Sequence, residues 1–240
     1  MDLGGATLNT PRRIALATPH GRYDALESAL RERHGFEVLR IRERADLSVP
    51  SLDAFAPSHV FLPHWSWKVA RPVFDRYECI VFHMTDLPFG RGGSPLQNLV
   101  VRGIEQTKLS ALKCSDEVDS GPVYLKRDLS TLGTAEEVFM RASVLMEEMI
   151  AAIVLGHLRP SAQVGDVVPF VRRAPEQSDL RLAASLGDMH DMIRMLDADG
   201  YPHAFIETHG FRFEFTRSSA RPDHLLADVR ISLAGPKESK

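Results

Sequence analysis

Apolar residues in this chain come in short runs separated by segments of helical period. Arg13-Ile14-Ala15-Leu16-Ala17 is the first run, and Phe36–Ile41, His59–Leu62 and Glu78–Phe82 share its character. Unbroken apolar runs this short read as strands covered on both faces. Asp24 can cap a helix reaching to about Arg33, with Gly35 where a stop is expected. Trp67–Asp75 and Pro95–Arg102 predict two more helices. Strands alternating with helices predict an α/β fold, a mostly parallel twisted sheet flanked by helices. Thr107–Cys114 instead alternates polar and apolar, as a half-buried strand does, and Val123–Lys126 is its antiparallel partner. Thr134-Ala135-Glu136-Glu137 is a capping box, and the helix after it sets Val138, Ala142, Leu145, Met149 and Ile153 on one face. Gly156 and Pro160 end that helix.

The texture changes from Gly165 onward. Val167–Glu176, with two prolines and two arginines, reads as a connecting strand and loop. Met189, Met192, Ile193 and Leu196 share a helical face that Gly200 ends. Phe211–Phe215 and Leu225–Ile231 alternate strictly, which predicts a hairpin with one buried face. The expected division is a catalytic α/β domain over residues 1–164 and a small C-terminal α+β region over 165–240. Residues 1–11 read as a loose leader.

Composition narrows the classes. A chain of 240 residues can bury a full core, and a net charge of -3 argues against a nucleic-acid binder, which usually shows a basic face. Cys79 and Cys114 are the only cysteines, too few for a disulfide framework, and neither sits in a metal-ligand cluster, so no metal is expected. The N-terminus lacks the basic-then-apolar order of a signal peptide, and no run approaches membrane-spanning length. The expectation is a cytoplasmic protein with no membrane association.

Candidate chemistry gathers in Phe82-His83-Met84-Thr85-Asp86-Leu87-Pro88-Phe89-Gly90-Arg91-Gly92-Gly93-Ser94-Pro95, which reads as a loop too rich in Gly and Pro for regular structure. His83 closes an apolar strand, and Asp119 in Asp119-Ser120-Gly121-Pro122 could reach the same place. Histidine changes protonation near neutral pH, and a carboxylate partner orients it. That pairing suits group transfer through a charged tetrahedral intermediate. A purely structural hydrogen bond between the two is the bland alternative.

These two segments together resemble the signature of the 10-formyltetrahydrofolate-dependent formyltransferases. The family segment runs Asn-x-His, a Ser or Thr, Leu-Pro, Arg-Gly and a Pro, with an Asp-x-Gly further along. Here His83, Thr85, Leu87-Pro88, Arg91-Gly92, Pro95 and Asp119-Ser120-Gly121 stand in those places, in order. The resemblance implies catalytic roles for His83 and Asp119. It implies contacts to N10-formyltetrahydrofolate, the co-substrate, from Leu87, Pro88, Arg91, Gly92 and Asp116. Trp65, Ser66 and Thr85 become candidates for the acceptor. For Leu87-Pro88 plain loop packing is an equal alternative, and for Arg91 a role within its own turn. The tail from Ile193 to the hairpin is similar to the small C-terminal region of sugar N-formyltransferases. It is too short for a separate tRNA-binding barrel. The implied acceptor is therefore a small molecule, a nucleotide-linked amino sugar.

One position departs from the pattern: Val81 stands where the family has its Asn. Valine donates no hydrogen bond to an oxyanion, and losing such a donor typically costs about 10²–10³ in rate. Ser66 and the backbone amides of residues 84–93 are the alternatives. A degenerate member that binds folate or a nucleotide sugar without turnover is the non-enzymatic reading, and an amino-acid or hydroxylamine nitrogen is another acceptor. Aromatics are more often core than ligand contacts, so at most one of Trp65 and Trp67 is expected at a ligand. His20 and Arg22 read as a solvated turn. The apolar hairpin face allows packing on its own helix or a homodimer through the C-terminal region.

Overall fold

Each of the four apolar runs forms a strand, in a computed structural model that describes residues 12–235. The expected leader lies outside the described residues. In chain order the elements are β1 (Arg13–Ala17), α1 (Asp24–Glu32), β2 (Glu37–Ile41), α2 (Val49–Phe55), β3 (His59–Leu62), α3 (Arg71–Arg76) and β4 (Cys79–His83). There follow β5 (Phe89–Gly92), α4 (Pro95–Val100), β6 (Gln106–Lys113), β7 (Val123–Ser130) and α5 (Ala135–Gly156). The chain finishes with β8 (Val168–Phe170), α6 (Leu186–Arg194), β9 (Ala204–Thr208), β10 (Phe211–Ala220) and β11 (Leu225–Leu233). A six-stranded sheet has the order β2-β1-β3-β4-β6-β7. β1 pairs in parallel with β2 and β3, and β3 with β4, as the unbroken apolar runs imply. The α/β class is thus borne out.

The chain packs as two units. One takes the described residues through His83, with Ala111–Leu125 and Ser143–Gln163; the other takes Met84–Ser110, Lys126–Ala142 and the residues from Val164 on. In the first, Ala15, Ala17, Val60, Leu62 and Cys79 bury against Leu47, Leu52, Val69 and Val73. Each large aliphatic among them contributes roughly 1.5–3 kcal/mol by leaving water. Local boundaries follow local chemistry. A short 3-10 turn, Gly21–Tyr23, precedes α1, so Asp24 is its first residue and not its cap. α3 begins only at Arg71, with Pro72 in its first turn, and residues 67–70 are loop. α2 was not expected from the sequence; Ser48 caps it, its hydroxyl accepting from the Ser51 amide at 3.4 Å.

The capping box of α5 forms as read. Glu137 Oε2 accepts from the Thr134 amide at 2.7 Å, and Thr134 Oγ1 accepts from the Glu137 amide at 3.2 Å. Val138, Ala142, Met149 and Ile153 are buried, but Leu145 is half-buried, and Met146 beside it takes the core position.

In the second unit, the segment read as irregular contains β5, which pairs in parallel with β8. Glycine makes this possible: a Cβ on Gly92, at φ +115°, would lie 2.3 Å from the Phe170 carbonyl oxygen. Phe89 and Phe170 then meet edge to face at 5.2 Å. At the C-terminus β9 joins the expected hairpin in an antiparallel sheet of order β11-β10-β9. The hairpin's expected buried face is overturned for β11. Val229, Ile231 and Leu233 are 46%, 60% and 77% exposed, because α6 packs on β10 and β11 lies at the sheet's edge.

Candidate functional site

β4 delivers His83 at the carboxyl end of its strand, the edge where open α/β sheets place their sites. Asp119 comes from the loop between β6 and β7. His83 Nδ1 lies 3.5 Å from Asp119 Oδ2, with the two side chains 8% and 13% exposed. The two predicted residues are therefore brought together. The separation is that of an ion pair and longer than a short hydrogen bond, so the imidazole has room to adjust.

Three features hold Asp119 in place. Its own backbone is left-handed, φ +54°, a conformation that aspartate tolerates better than most residues. Gln163 Nε2 donates to the carbonyl oxygens of both Asp119 and Gly121, each at 2.8 Å. Gly121 has no space for a side chain, since a Cβ there would meet the Lys113 carbonyl oxygen at 1.9 Å. Gln163 is reached just past α5, where Val123 and Ser161 exchange backbone hydrogen bonds at 2.8 and 2.9 Å. Sequence reasoning missed Gln163, for it lies in a polar stretch with no motif around it.

A second cluster in this unit surrounds His64, which lies in the turn directly after β3 in left-handed backbone, φ +51°. Its ring lies 4.6 Å from that of His20, between centroids. Burial, reinforced by His20 and Arg22, pushes the His64 pKa down to about 3, so it is neutral at pH 7. Arg40 of β2 donates to the His20 carbonyl oxygen at 2.9 Å and to that of Tyr23 at 3.3 Å. This is a built constellation and not the solvated turn expected for His20. Trp65 packs against the core of the first unit, as does Val81. The Trp65 indole Nε1–H is buried with no hydrogen-bond partner among the described residues. Trp65 and Trp67 meet edge to face at 4.9 Å in the irregular segment that follows β3 and its turn. Ser66 is exposed, and so is Asp116, whose Oδ2 lies 3.7 Å from Arg71 Nη1.

The loop after His83 belongs to the second unit. Thr85 is fully buried; its carbonyl accepts from Ser110 Oγ at 2.7 Å, and its Oγ1 has no hydrogen-bond partner among the described residues. The Leu87–Pro88 peptide is cis, and both residues are buried. Lys126 Nζ holds this turn through Asp86 Oδ1 and the Leu87 carbonyl, each at 2.5 Å. Arg91 and Gly92 are half-buried on β5. Asn98 Nδ2 donates to the carbonyls of Gly93, Ser94 and Val171 at 2.9–3.1 Å. A Cβ on Gly90 would meet Thr85 Cγ2 at 2.5 Å. The small residues of this loop thus serve close packing. Among the described residues, no group of three or more His, Cys, Asp or Glu could hold a metal ion, and no helix is long and apolar enough to cross a membrane.

Comparison with known proteins adds to this geometry. Residues 175–232 match the family model described as the methionyl-tRNA formyltransferase C-terminal domain. A solved structure titled methionyl-tRNA formyltransferase from Clostridium thermocellum is 40% identical, covers 93% of this chain and all of its own, and superposes with a TM-score of 0.90. A methionyl-tRNA formyltransferase of Heliobacterium modesticaldum is 30% identical over 166 residues, 65% of this chain and 51% of that protein. The formyltransferase PseJ from Anoxybacillus kamchatkensis, solved with UDP-4,6-dideoxy-4-formamido-L-AltNAc and tetrahydrofolate, shares the fold. It is 16% identical over 73% of this chain and 94% of its own, with a TM-score of 0.56. The chain spans about half the length of the curated relatives it matches.

Proposed function

The chain belongs to the formyltransferase family, and from that premise we propose that it moves a formyl group from N10-formyltetrahydrofolate to the amine of a small acceptor, a nucleotide-linked amino sugar. The observation that carries the reading is the His83–Asp119 pair, formed by residues far apart in sequence and nearly excluded from water. The orphaned Trp65 indole N–H fits a ligand rich in carbonyl acceptors, and its ring suits a flat partner. Folate would supply the activated formyl carbon.

The protein's part is to position charge and protons. The acceptor nitrogen attacks the formyl carbon, the carbonyl oxygen takes up negative charge, and the bond from carbon to N10 then breaks. Imidazole Nε2 of His83, across the ring from the carboxylate, donates a hydrogen bond to that oxyanion. Asp119 orients the ring and accepts the proton that the attacking amine loses; N10 is protonated as it leaves. Val81 contributes nothing to the oxyanion, so backbone amides or the Trp65 N–H must stand in for the family Asn. Thr85, Leu87, Pro88, Arg91 and Gly92 remain the residues that the resemblance offers for ligand contacts. The burial of Leu87 and Pro88 favours contacts through their backbone.

A methionyl-tRNA acceptor is the second reading. It is supported by the family model over residues 175–232 and by the names of the relatives. The net charge of -3 speaks for the small acceptor, since tRNA binding draws on many basic contacts. Purified protein incubated with N10-formyltetrahydrofolate and either nucleotide-linked amino sugars or methionyl-tRNA distinguishes the two. Formylated sugar is expected. Formylated methionyl-tRNA alone selects the second reading, and release of formate without acceptor refutes both.

A further inference from the structure

Both cysteines lie at the base of the elements that carry the His83–Asp119 pair, and formyl transfer calls on neither. Cys79 opens β4, which ends in His83, and Cys114 directly follows β6, at the start of the loop that brings Asp119. All four residues belong to the first unit. The Cys114 amide donates to the Cys79 carbonyl oxygen at 2.8 Å, so the two are neighbours across adjacent strands. Adjacent strands lie about 4.8 Å apart, inside the range of about 4.4–6.8 Å between Cα atoms that a disulfide spans. The side chains also share their surroundings. Cys79 is fully buried in the core of the first unit, and Cys114 packs half-buried against that same core.

The two thiols differ in a useful way. Cys79 hydrogen-bonds the Cys114 sulfur, which together with burial pushes its own pKa up and keeps it protonated. Cys114 is the one open to small solutes, and the thiolate is the form that reacts. One residue earlier, the Lys113 amide donates to the Pro122 carbonyl oxygen at 2.9 Å and closes the neck of the Asp119 loop. A displacement of Cys114 therefore passes into a short, closed loop.

We propose that Cys79 and Cys114 form a reversible disulfide when the protein meets a hydroperoxide, and that this bond slows the site by shifting the Asp119 loop relative to His83. The Cys114 thiolate attacks the hydroperoxide, the O–O bond breaks, and sulfur is oxidised to a sulfenic acid. The departing oxygen takes up the proton that Cys114 released. The Cys79 sulfur then attacks the Cys114 sulfur, the S–O bond breaks, and hydroxide leaves as water with the Cys79 proton. Two thiols and one hydroperoxide thus give one disulfide, one alcohol and one water, and an external dithiol reverses the change. An S–S bond of about 2.05 Å is shorter than any contact between separate thiols. Cys79 is fixed in the core, so Cys114 is the residue drawn inward. His83 and Asp119 stand 3.5 Å apart, and misplacing a catalytic group by about 1 Å can cost about 10²-fold in rate.

The loss of rate rests on the formyl-transfer reading; the bond itself does not. Treatment of the full chain with hydrogen peroxide, followed by alkylation in denaturant and intact-mass measurement, tests the bond. The wild type is expected to lose two hydrogens and to resist alkylation at both cysteines until dithiothreitol is added. Cys114→Ala is expected to show no such loss, and Cys79→Ala to leave a sulfenic acid on Cys114 that dimedone traps. Oxidation is expected to lower kcat about tenfold or more in the wild type, reversibly, and to leave Cys114→Ala unaffected. The His83 ring signals in NMR, assigned through His83→Gln, are expected to shift on oxidation and report on the loop without turnover. Circular dichroism confirms that each species is folded. Cysteines that stay alkylatable after peroxide overturn the proposal, and so does a disulfide that leaves kcat and the His83 signals unchanged. A reduced protein without formyl transfer refutes the reading of the reaction instead, and mass and NMR then decide this proposal alone.

Discussion

Replacing His64 by Gln removes a buried titratable ring while keeping much of its shape and polarity. His64 has a folded-state pKa of about 3, set first by desolvation and then by the nearby His20 and Arg22. The unfolded chain binds its proton near the ordinary value of about 6.5. Below that value the unfolded state takes up a proton that the fold excludes, so stability falls as pH falls, from 6.5 down toward 3. At pH 5 the unfolded side is favoured by about 1.5 pH units of proton binding, or roughly 2 kcal/mol at 1.36 kcal/mol per unit. Asp179 and Glu137, whose pKa values hydrogen bonds lower, lose their stabilising charge only below the ordinary carboxylate range. His59 and His190, also lowered by burial, contribute equally to both proteins, so the difference between wild type and variant isolates His64. Urea unfolding of wild type and His64→Gln at pH 7.5 and pH 5 measures the effect. Wild type should lose about 2 kcal/mol more than the variant between the two conditions. Equal losses in both proteins would refute the burial argument.

Three further changes probe the site directly. Gln163→Leu removes both donations to the Asp119 loop, and kcat for formyl transfer should fall about tenfold with little change in KM; in an Asp119→Asn background the same change should cost nothing more. A double-mutant cycle in which the two losses simply add would show that Gln163 does not act through Asp119. Gly121→Ala forces a Cβ toward the Lys113 carbonyl and should lower stability by about 1–3 kcal/mol with loss of activity, as read by urea midpoints and turnover. Trp65→Phe deletes an orphaned buried donor, so the unliganded protein should be as stable as wild type or up to about 1 kcal/mol more so, while ligand affinity measured by titration calorimetry drops.

The legible parts of this chain are those where one local rule acts alone. The β1, β3 and β4 runs could only be covered strands, and the Thr134–Glu137 box starts α5 where two reciprocal hydrogen bonds dictate. His83 and Asp119 were legible as a pair only through the family signature, since nothing in the spacing of 36 positions implies a 3.5 Å approach. Three things were hidden because they depend on partners distant in sequence. β5 exists because β8 approaches two glycine-permitted positions, Gly90 and Gly92, and the composition of residues 89–93 alone reads as loop. The depressed His64 arises from burial beside the turn after β1, which no residue next to it announces. The openness of β11 follows from where α6 packs, and strict alternation cannot distinguish a covered face from an uncovered one.

The strap beyond α5 has a consequence for how the protein can be silenced. Ser161 and Gln163 reach back to Val123, Asp119 and Gly121, so the carboxylate is hung from a stretch that adds little to the core. One backbone cut between Gly156 and Ser161 would spare every strand of the large sheet while releasing the hook that keeps Asp119 aimed at His83. Limited proteolysis in that short span is expected to lower formyl transfer while far-UV circular dichroism stays unchanged.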